Sequence, residues 1–448
     1  MYIDEIVIEN YGCIENLVIK PEFDNLGYPK PIVVVGKNGS GKTLLLSGIV
    51  DSIIEFKRSK FSDLQEVNKN KFYRLGSKLY IKDGENYSYT KIRYKNNDKI
   101  YSYVDFMVKQ FEYFRDNEYN KTKHTDLELD KSKLKEDGYQ RKAHGSIKDE
   151  FENNIFMYFP VHRYYEPAWL NQEVNISIEK KESFIGISNK NIVKTNILHE
   201  VSSWILDVIL DKQLYELKAE SVPNVYFKTK NSDGEDVYTK INNKLLIDYK
   251  WKNSTIINHL NKILTIIYTS NDPQIKQARI GVLKKEEGRL ISIIIKNNDG
   301  NESNIAPTFN HLSSGEALLL CVFASLLKEY DSLGNRAGSL EDVSGIVVID
   351  EVDLNLHIDF AKNVVPKLMK LFPNIQFILT THSPFFLLGM RETYGDDYQL
   401  INLPNGENIN ENDFSEIVKA YNIFTKGFND LKANLYTFFV VQQGGSIR

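Results

Sequence analysis

Hydrophobic and polar positions divide the chain into two ends that share one pattern and a middle that differs. Residues 2–9 and 17–20 are predicted to be short strands around a turn. Ile32–Val35 form a β-branched run that is typical of a strand buried on both faces of a parallel sheet, and a helix is predicted over Leu44–Val50. Buried runs of the same type return near the other end, at Gly345–Asp350 and Gln376–Thr381. The sheet is therefore expected to draw its strands from both ends of the chain.

The middle of the chain is predicted to be an insert lobe at 61–300, between the two halves of one domain at 1–60 and 301–448. Alternation over residues 78–104, with turn signals at Asp83-Gly84 and Asn97-Asp98, predicts an antiparallel meander. Residues 116–150 carry almost no large apolar side chains, so a mobile, exposed loop is expected there.

Apolar residues at helical spacing predict three helices in the insert. The first is marked by Val104, Met107, Val108, Phe111 and Phe114, and the others cover 199–211 and 254–268. A strand pair is predicted around Arg289–Ile295, closed by the turn NNDG. No heptad repeat persists, which argues against a long coiled-coil arm.

The composition is that of a globular protein, with 448 residues, 42% hydrophobic and 26% charged. No apolar run approaches the ~18 residues of a membrane span, and no signal-peptide pattern opens the chain, so a cytoplasmic protein without membrane contact is expected. Two cysteines argue against a disulfide framework or a zinc cluster. With a net charge of −4, nucleic-acid binding would need local clusters such as Lys131–Lys135 and Arg141-Lys142, which also fit a solvated loop.

The segment GKNGSGKT, Gly36–Thr43, joins the buried strand to the predicted helix. Its glycines let the backbone curl so that successive N–H groups point at phosphate oxygens, and the N-terminal end of the helix adds partial positive charge. Lys42 is predicted to reach the β- and γ-phosphates, and the Thr43 hydroxyl to bind Mg²⁺. This segment predicts a nucleotide-binding site but does not indicate which class of nucleotide-binding protein the chain belongs to.

The segment IVVIDEVD, Ile346–Asp353, ends a buried strand with acidic residues. Asp350 at the strand tip suits Mg²⁺ binding through water, and Glu351 is placed to polarise an attacking water. Alone, the pattern also fits a buried strand that ends in an acidic loop. The phosphate loop favours the catalytic interpretation.

Two further segments bear on the phosphate. In HLSSGEALLL a Ser-Ser-Gly turn opens an apolar helix, and Ser313 with the Gly315 amide of one subunit is predicted to grip the γ-phosphate held by the other. The simpler alternative is an N-cap serine with Glu316 in the first turn. In FILTTHSP, His382 follows a buried strand, where it is expected to contact the γ-phosphate unless it is structural.

These four segments together resemble the ABC-type ATPases, and within them the RecF, SMC and OLD group. GKNGSGKT corresponds to the Walker A loop, LSSGE to the signature, VVIDE to Walker B, VDLNLH to the D-loop and TTHSP to the histidine switch. The resemblance covers about the first 60 and the last 150 residues. It implies an α/β P-loop NTPase fold of ABC-ATPase type, with a mixed, mainly parallel sheet, helices on both sides, and a β-rich and helical insert between Walker A and the signature.

The resemblance also implies ligands and site residues. ATP and Mg²⁺ are the implied ligands, with catalytic roles for Glu351 and His382 and metal binding by Thr43 and Asp350. The implied ATP-binding residues are Asn38, Gly39, Ser40, Gly41, Lys42, Thr43, Ser313, Ser314, Gly315, Glu316 and Asp353. Ser314 stands where the signature commonly has glycine, and Gly12 stands near a position that is basic in many relatives.

The size and the insert look most like bacterial anti-phage ATPases of the Septu, PARIS and retron kind. That resemblance implies a homodimer or higher homo-oligomer, a separate effector protein (a nuclease or toxin), and nucleic acid as a further possible partner. A RecF-like DNA repair ATPase is the alternative, and the large insert argues against the nucleotide-binding subunit of an ABC transporter. The segment FMYFPVHRYYEP also resembles these proteins, and its His162 and Arg163 are interpreted either as nucleotide sensors or, for Arg163, as a solvent-exposed side chain.

Overall fold

The computed structural model describes residues 1–58, 66–68, 71–72, 78–109, 139–145, 148–161, 163, 192–195, 197–215, 226–231, 234–240, 252–270, 272–282, 291–306, 311–334 and 338–409. The chain divides into two compact units. The first comprises Met1–His162, Asn189–Lys194 and Ser344–Arg448, and the second comprises Arg163–Ser188 and Thr195–Val343. The first unit therefore takes residues from both ends of the chain, as the hydrophobic pattern predicts.

The first unit contains a six-stranded sheet. In spatial order its strands are β18 (Glu407–Asn408), β17 (Gln399–Asn402), β3 (Ile32–Val35), β16 (Ile375–Thr380), β15 (Gly345–Ile349) and β9 (Ile155–Phe159). All neighbours pair in parallel except the β17–β18 hairpin. Because parallel strands end at one edge, the loops that follow β3, β15 and β16 converge there. The α/β class with a mixed, mainly parallel sheet is confirmed.

An antiparallel sheet forms the other layer of this unit. Its order is β2 (Ile14–Ile19), β1 (Tyr2–Tyr11), β6 (Tyr87–Asn96), β7 (Lys99–Val108) and β8 (Tyr139–His144). Helix α1 (Lys42–Arg58) contacts β6, β7 and β8, and its buried Leu45 and Ile49 share one hydrophobic core with residues of both sheets. Helix α1 is thus held between the layers, which fixes the start of the helix at the nucleotide loop.

One buried side chain joins the two sheets directly. Gln376 of β16 is fully buried, its Nε2 donates to the Ile3 carbonyl at 2.9 Å, and the Ile3 N–H donates to Oε1 at 2.7 Å. The carboxamide satisfies both backbone groups of Ile3, as a neighbouring strand would. This contact anchors β1 to the central sheet.

The remaining elements of the first unit are short. They are β4 (Glu66–Asn68), β5 (Lys71–Phe72), a 3₁₀ turn (Lys78–Tyr80), α2 (Lys148–Asn153), a π-helical turn (Phe360–Val364), α6 (Val365–Met369) and α7 (Pro384–Tyr394). Helix α7 contacts the π-helical turn at Gly389, where a Cβ would lie 2.0 Å from the Lys362 carbonyl oxygen. Only glycine permits this approach of the two backbones.

The described residues of the second unit form three long helices, a two-stranded sheet and a three-stranded sheet. Its elements are α3 (Ile197–Tyr215), β10 (Tyr226–Lys230), β11 (Asp236–Lys240), α4 (Lys252–Thr269), β12 (Ile275–Val282), β13 (Ile291–Asn297), β14 (Glu302–Ala306), α5 (Ser314–Ser332) and a 3₁₀ turn (Leu340–Asp342). Strands β10 and β11 form the two-stranded sheet, and β12, β13 and β14 form the three-stranded sheet. Trp204 of α3 donates to Asp331 of α5 at 3.1 Å, which ties these two helices together. The predicted helices at 199–211 and 254–268 and the strand pair closed by NNDG are confirmed.

Other predictions for the middle of the chain differ from the structure. Val104, Met107 and Val108 lie in strand β7 and not in a helix, because this segment pairs along its length with β6 and also with β8; Phe111 and Phe114 lie outside the described residues. Of the mobile loop expected at 116–150, residues 116–138 lie outside the described residues. The described part contains β8 and the start of α2, since the backbone of β8 pairs with β7 although its side chains are mostly polar.

The domain boundaries also differ from the predicted insert at 61–300. The meander strands β6 and β7 extend the sheet begun by β1, since β1 would otherwise leave its backbone groups on that side unpaired. At the other end, residues 301–343 belong to the second unit and not to the half-domain predicted at 301–448.

Replacing Gln376 with leucine is expected to destabilise the first unit by about 2–4 kcal/mol, because the buried N–H and C=O of Ile3 lose their partners. Chemical unfolding followed by circular dichroism measures the change. The matched control is Gln274→Leu, since the Gln274 side chain is exposed. An unchanged unfolding midpoint for Gln376→Leu would contradict the role given to this side chain.

Candidate functional site

The glycine-rich loop lies between β3 and α1, as predicted. Gly36, Gly39 and Gly41 adopt φ values of 148°, 79° and 95°, which residues other than glycine rarely adopt. A Cβ on Gly36 would lie 2.8 Å from the Leu403 carbonyl oxygen, and one on Gly41 would lie 2.9 Å from Ile14 Cγ1. Loop curvature and close packing therefore both require glycine at these two positions. Lys37, Asn38 and Gly39 are exposed at the tip of the loop.

Lys42 is folded over its own loop. Its Nζ donates to the carbonyl oxygens of Gly36 at 2.8 Å and of Lys37 at 3.2 Å. The ammonium group is thus held at the concave side of the loop, where phosphate oxygens would replace carbonyl oxygens as acceptors. The neighbouring Ser40 hydroxyl is buried and has no hydrogen-bond partner among the described residues.

The next residue connects the loop to the acidic strand end. The Thr43 hydroxyl, at the start of α1, donates to Asp350 Oδ2 at 3.0 Å, and Asp350 is 2% exposed at the end of β15. A hydroxyl and a carboxylate in contact at the mouth of a phosphate loop are oxygen ligands that suit Mg²⁺. The two residues predicted to bind metal are therefore adjacent.

Glu351 follows in a strained conformation. Its φ of 47° lies in the left-handed region, which is uncommon for a residue other than glycine and frequent at functional sites. The Glu351 N–H donates to Thr380 Oγ1 at 2.7 Å, and the Val352 N–H donates to the Thr380 carbonyl at 2.9 Å. The end of β16 thus holds this loop in place.

Asp353 and His382 lie beside the same strand end. The Thr381 hydroxyl donates to Asp353 Oδ1 and accepts the Ser383 N–H at 2.9 Å. His382 is the residue between these two anchored positions, and Ser383 then caps α7 by accepting the Phe386 N–H at 3.3 Å. The structure therefore brings together the loop residues, Asp350, Glu351, Asp353 and the backbone that carries His382.

Gly12 lies in the turn between β1 and β2. Its φ is 61°, its N–H donates to the Tyr80 carbonyl at 2.5 Å, and a Cβ there would lie 2.2 Å from Leu44 Cδ1. Leu44 belongs to the first turn of α1. Any side chain at position 12 would therefore have to displace the side chain of Leu44.

The serine turn of the signature segment lies in the second unit. Ser313 is the N-cap of α5: its hydroxyl accepts the Glu316 N–H at 3.3 Å, and its own N–H donates to Glu316 Oε2 at 2.9 Å. This reciprocal pair is the N-cap arrangement that the sequence leaves open as an alternative. Ser313 and Ser314 are exposed, whereas Gly315 is buried.

Glu316 has a further partner in the same unit. The Tyr268 hydroxyl donates to it, and burial together with this carboxylate raises the pKa of Tyr268 above its usual value. The carboxylate of Glu316 is therefore engaged within its own unit. Its predicted contact with ATP remains a prediction, as do those of Ser313, Ser314 and Gly315.

Several other predictions from the sequence concern residues that are only partly covered by the described ranges. Arg163 is 4% exposed, so its interpretation as a solvent-exposed side chain is wrong, and His162 lies outside the described residues. Lys131–Lys135 also lie outside them, and Arg141 and Lys142 fall in β8. Cys13 and Cys321 are both free, and burial raises the pKa of the Cys321 thiol to about 12.

No cluster of three or more His, Cys, Asp and Glu side chains in the described ranges could hold a metal ion. Of the helices in the described part of the chain, none combines the length and the apolar character needed to cross a bilayer.

The sequence analysis missed Thr380 and Thr381. Both are fully buried, and their hydroxyls contact three of the acidic-loop residues. Two consecutive threonines at the end of a buried strand, directly before the candidate histidine, are the signal that was available. Hydroxyl groups in an otherwise apolar strand need partners, and the acidic loop supplies them.

A family model described as an AAA ATPase domain matches residues 1–387. The chain belongs to this family of ATPases. Solved structures that resemble it include the SMC head domain from Thermotoga maritima, at 12% identity and a TM-score of 0.39 over 92% of this chain and all of that one.

Curated relatives include probable ATPases of retrons and the Septu protein PtuA. The retron Vc95 probable ATPase of Vibrio cholerae is 27% identical over 79% of this chain and 66% of its own length. The retron Ec83 probable ATPase of Escherichia coli is 39% identical over 23% of this chain and 18% of its own length, and the Septu protein PtuA of Bacillus thuringiensis is 26% identical over 35% and 40%. The chain thus spans less than two thirds of the length of these relatives. The resemblance to defence-type ATPases is confirmed.

Lys42→Ala is expected to weaken ATP binding at least about tenfold, because a charge-assisted contact to phosphate is lost. Titration with a fluorescent ATP analogue measures the affinity. Lys37→Ala is the matched control, because Lys37 is exposed in the same loop and its backbone carbonyl is retained. Equal affinities for the two variants would exclude the proposed position of the phosphates.

Proposed function

We propose that the chain binds ATP with Mg²⁺ in the Gly36–Thr43 loop, hydrolyses it at an interface between two subunits, and controls a separate effector protein in bacterial anti-phage defence. The observation that carries the proposal is the contact of Thr43 with Asp350 beside Glu351. Membership of an ATPase family and the retron and Septu relatives support it.

The residues of the first unit have separable roles in this proposal. The Lys42 ammonium leaves its two loop carbonyls and neutralises phosphate oxygens. Thr43 and Asp350 would hold Mg²⁺, which supplies positive charge to the phosphate oxygens when it is bound. The Glu351 carboxylate orients the attacking water and takes its proton, and His382 is proposed to contact the γ-phosphate. The buried Ser40 hydroxyl, which lacks a partner among the described residues, suits a phosphate oxygen.

The second subunit is proposed to contribute the Ser313 turn. The exposed Ser313 and Ser314 hydroxyls lie at the N-terminus of α5, a helix of 19 residues whose positive end favours an anion. The capping pair with Glu316 orders this turn before any phosphate arrives. Closing two subunits around two ATP molecules would then give one composite site per loop.

The output is proposed to be mechanical. When two subunits close around ATP, the parts of each chain that are attached to the ATPase core shift between distinct arrangements. This movement lets an effector be held or released. The similarity to the retron Vc95 probable ATPase and to the Septu protein PtuA supports a separate effector in this proposal. Nuclease or toxin activity is therefore assigned to the partner and not to this chain.

Glu351→Gln is expected to bind ATP, to lower turnover by about 100-fold or more, and to accumulate as a closed dimer, because the base is lost while the phosphate contacts remain. Phosphate release measures turnover, and light scattering with ATP measures the mass. The control is Glu341→Gln, at an exposed glutamate of the second unit. Wild-type turnover by Glu351→Gln would remove Glu351 from the mechanism.

Mixing Ser313→Arg chains with Lys42→Ala chains is expected to restore activity that neither has alone. Each mixed dimer contains one intact composite site, so an equal mixture should recover about a quarter of the wild-type rate if subunits exchange freely. Chains that carry both substitutions, mixed with Lys42→Ala chains, provide the control without rescue. Full activity of a monomeric wild-type chain would contradict the two-subunit site.

The purified chain alone is expected to leave DNA and RNA intact in the presence of ATP, Mg²⁺ and Mn²⁺. Gel assays with linear duplex, single-stranded DNA and RNA measure cleavage. Cleavage that persists in Glu351→Gln would locate a second catalytic centre in this chain and would overturn the assignment of output to a partner.

A further inference from the structure

Two consecutive threonines end the strand that lies between the nucleotide-loop strand and the acidic strand. Thr380 and Thr381 are both fully buried, and each hydroxyl donates one hydrogen bond and accepts another. We propose that they are positioning residues: Thr380 sets the geometry of Asp350 and Glu351, and Thr381 couples Asp353 to the turn that carries His382. This inference rests on the proposed hydrolysis of ATP.

Thr380 fixes the plane of the candidate metal-binding carboxylate. Its hydroxyl donates to Asp350 Oδ1 at 2.6 Å, while the Thr43 hydroxyl donates to Oδ2 at 3.0 Å. The two oxygens are thus held by hydroxyls from two different structural elements, so the carboxylate cannot rotate without breaking one bond. Partners of this kind tune the affinity and orientation of a metal ligand.

The same hydroxyl holds the candidate base. It accepts the Glu351 N–H at 2.7 Å, and the Thr380 carbonyl accepts the next N–H, that of Val352, at 2.9 Å. Two successive amides of the loop are therefore anchored on one residue, which maintains the left-handed φ of 47° at Glu351. Without the hydroxyl, the strained residue is free to relax and its carboxylate moves.

Thr381 performs the corresponding task on the other side of the strand end. Its hydroxyl links Asp353 Oδ1 to the Ser383 N–H, and the Ser383 hydroxyl caps α7. His382 lies inside this chain of hydrogen bonds. A shift of the His382 backbone on phosphate release would therefore displace Asp353, and the reverse also holds.

The proposed role of each threonine depends on its hydroxyl group and not on the shape of the side chain. Valine has the same branched shape and suits a buried strand, but it leaves the Glu351 N–H and one Asp350 oxygen without these partners. Serine keeps the hydroxyl and loses one methyl group. The pair of substitutions at one position thus separates positioning from packing.

The experiment compares Thr380→Val, Thr380→Ser and wild type in steady-state ATPase assays that vary ATP and Mg²⁺ independently. Thr380→Val is expected to lower kcat by about 10- to 100-fold and to raise the Mg²⁺ concentration for half-maximal rate several-fold. The KM for ATP should change less than about threefold, because Lys42 and its loop are untouched. Thr380→Ser should stay within about threefold of wild type in all three quantities.

The matched control is Thr90→Val, at a threonine of β6 that is also buried. Its kinetic constants are expected to equal those of wild type. Thermal unfolding of every variant shows whether the fold is kept, and Thr381→Val with Thr381→Ser repeats the comparison if Thr380→Val does not fold. For Thr381→Val, kcat falls without a change in Mg²⁺ requirement, because its hydroxyl contacts Asp353 and not Asp350.

Three results would overturn the inference or its basis. A wild-type kcat and Mg²⁺ requirement in the valine variants would refute it, and so would a serine variant that loses as much activity as valine, since packing would then explain the loss. If the wild-type chain does not hydrolyse ATP, the proposed function fails. The positioning role is then tested by ATP binding: the affinity for ATP is measured with and without Mg²⁺, and the gain on adding Mg²⁺ is compared between wild type and Thr380→Val. An equal gain in Thr380→Val and wild type would then refute the role of Thr380.

Discussion

Parallel pairing of β3, β16 and β15 is the constraint on which the nucleotide site depends. It places the ends of three strands at one edge, so that Thr43 and Asp350 make contact although 307 positions separate them in sequence. The strands themselves are mostly apolar, and the residues of the site stand at their ends: Gly36 follows β3, Asp350 follows β15, and Thr380 is the last residue of β16. Hydrophobic burial thus decides which polar groups meet, without taking part in the chemistry.

The polar groups at this edge satisfy one another. Lys42 contacts backbone carbonyls, Asp350 contacts two hydroxyls, and the acidic loop is held by the threonines of β16. Nucleotide binding in such a site exchanges hydrogen-bond partners more than it creates new ones. The net affinity for nucleotide therefore depends on how well the phosphate oxygens replace the acceptors already present. Because the side chains are already ordered before the ligand binds, binding loses little of their conformational entropy.

The elements formed by the two ends of the chain were predictable because their sequence signals are local. A β-branched run, a glycine-rich loop and a strand that ends in two acids each lie within ten residues, and the structure places them as expected. The partners of β6 and β7 were not predictable, because the choice between a separate lobe and an extension of β1 depends on a distant strand edge. The same holds for Gln376 and for Thr380, whose roles depend on Ile3 and Glu351. Contacts of this kind cannot be predicted from the local sequence around either residue.

The order of strands in the central sheet has a consequence for synthesis on the ribosome. β3 emerges early, but its two neighbours are β16 (Ile375–Thr380) and β17 (Gln399–Asn402), which emerge only when most of the chain has been made. Until then the apolar strand Ile32–Val35 has neither of its strand neighbours. Long-range pairing of this kind folds slowly and exposes aggregation-prone surface. The second unit, whose residues end at Val343, can therefore fold before the central sheet of the first unit is complete.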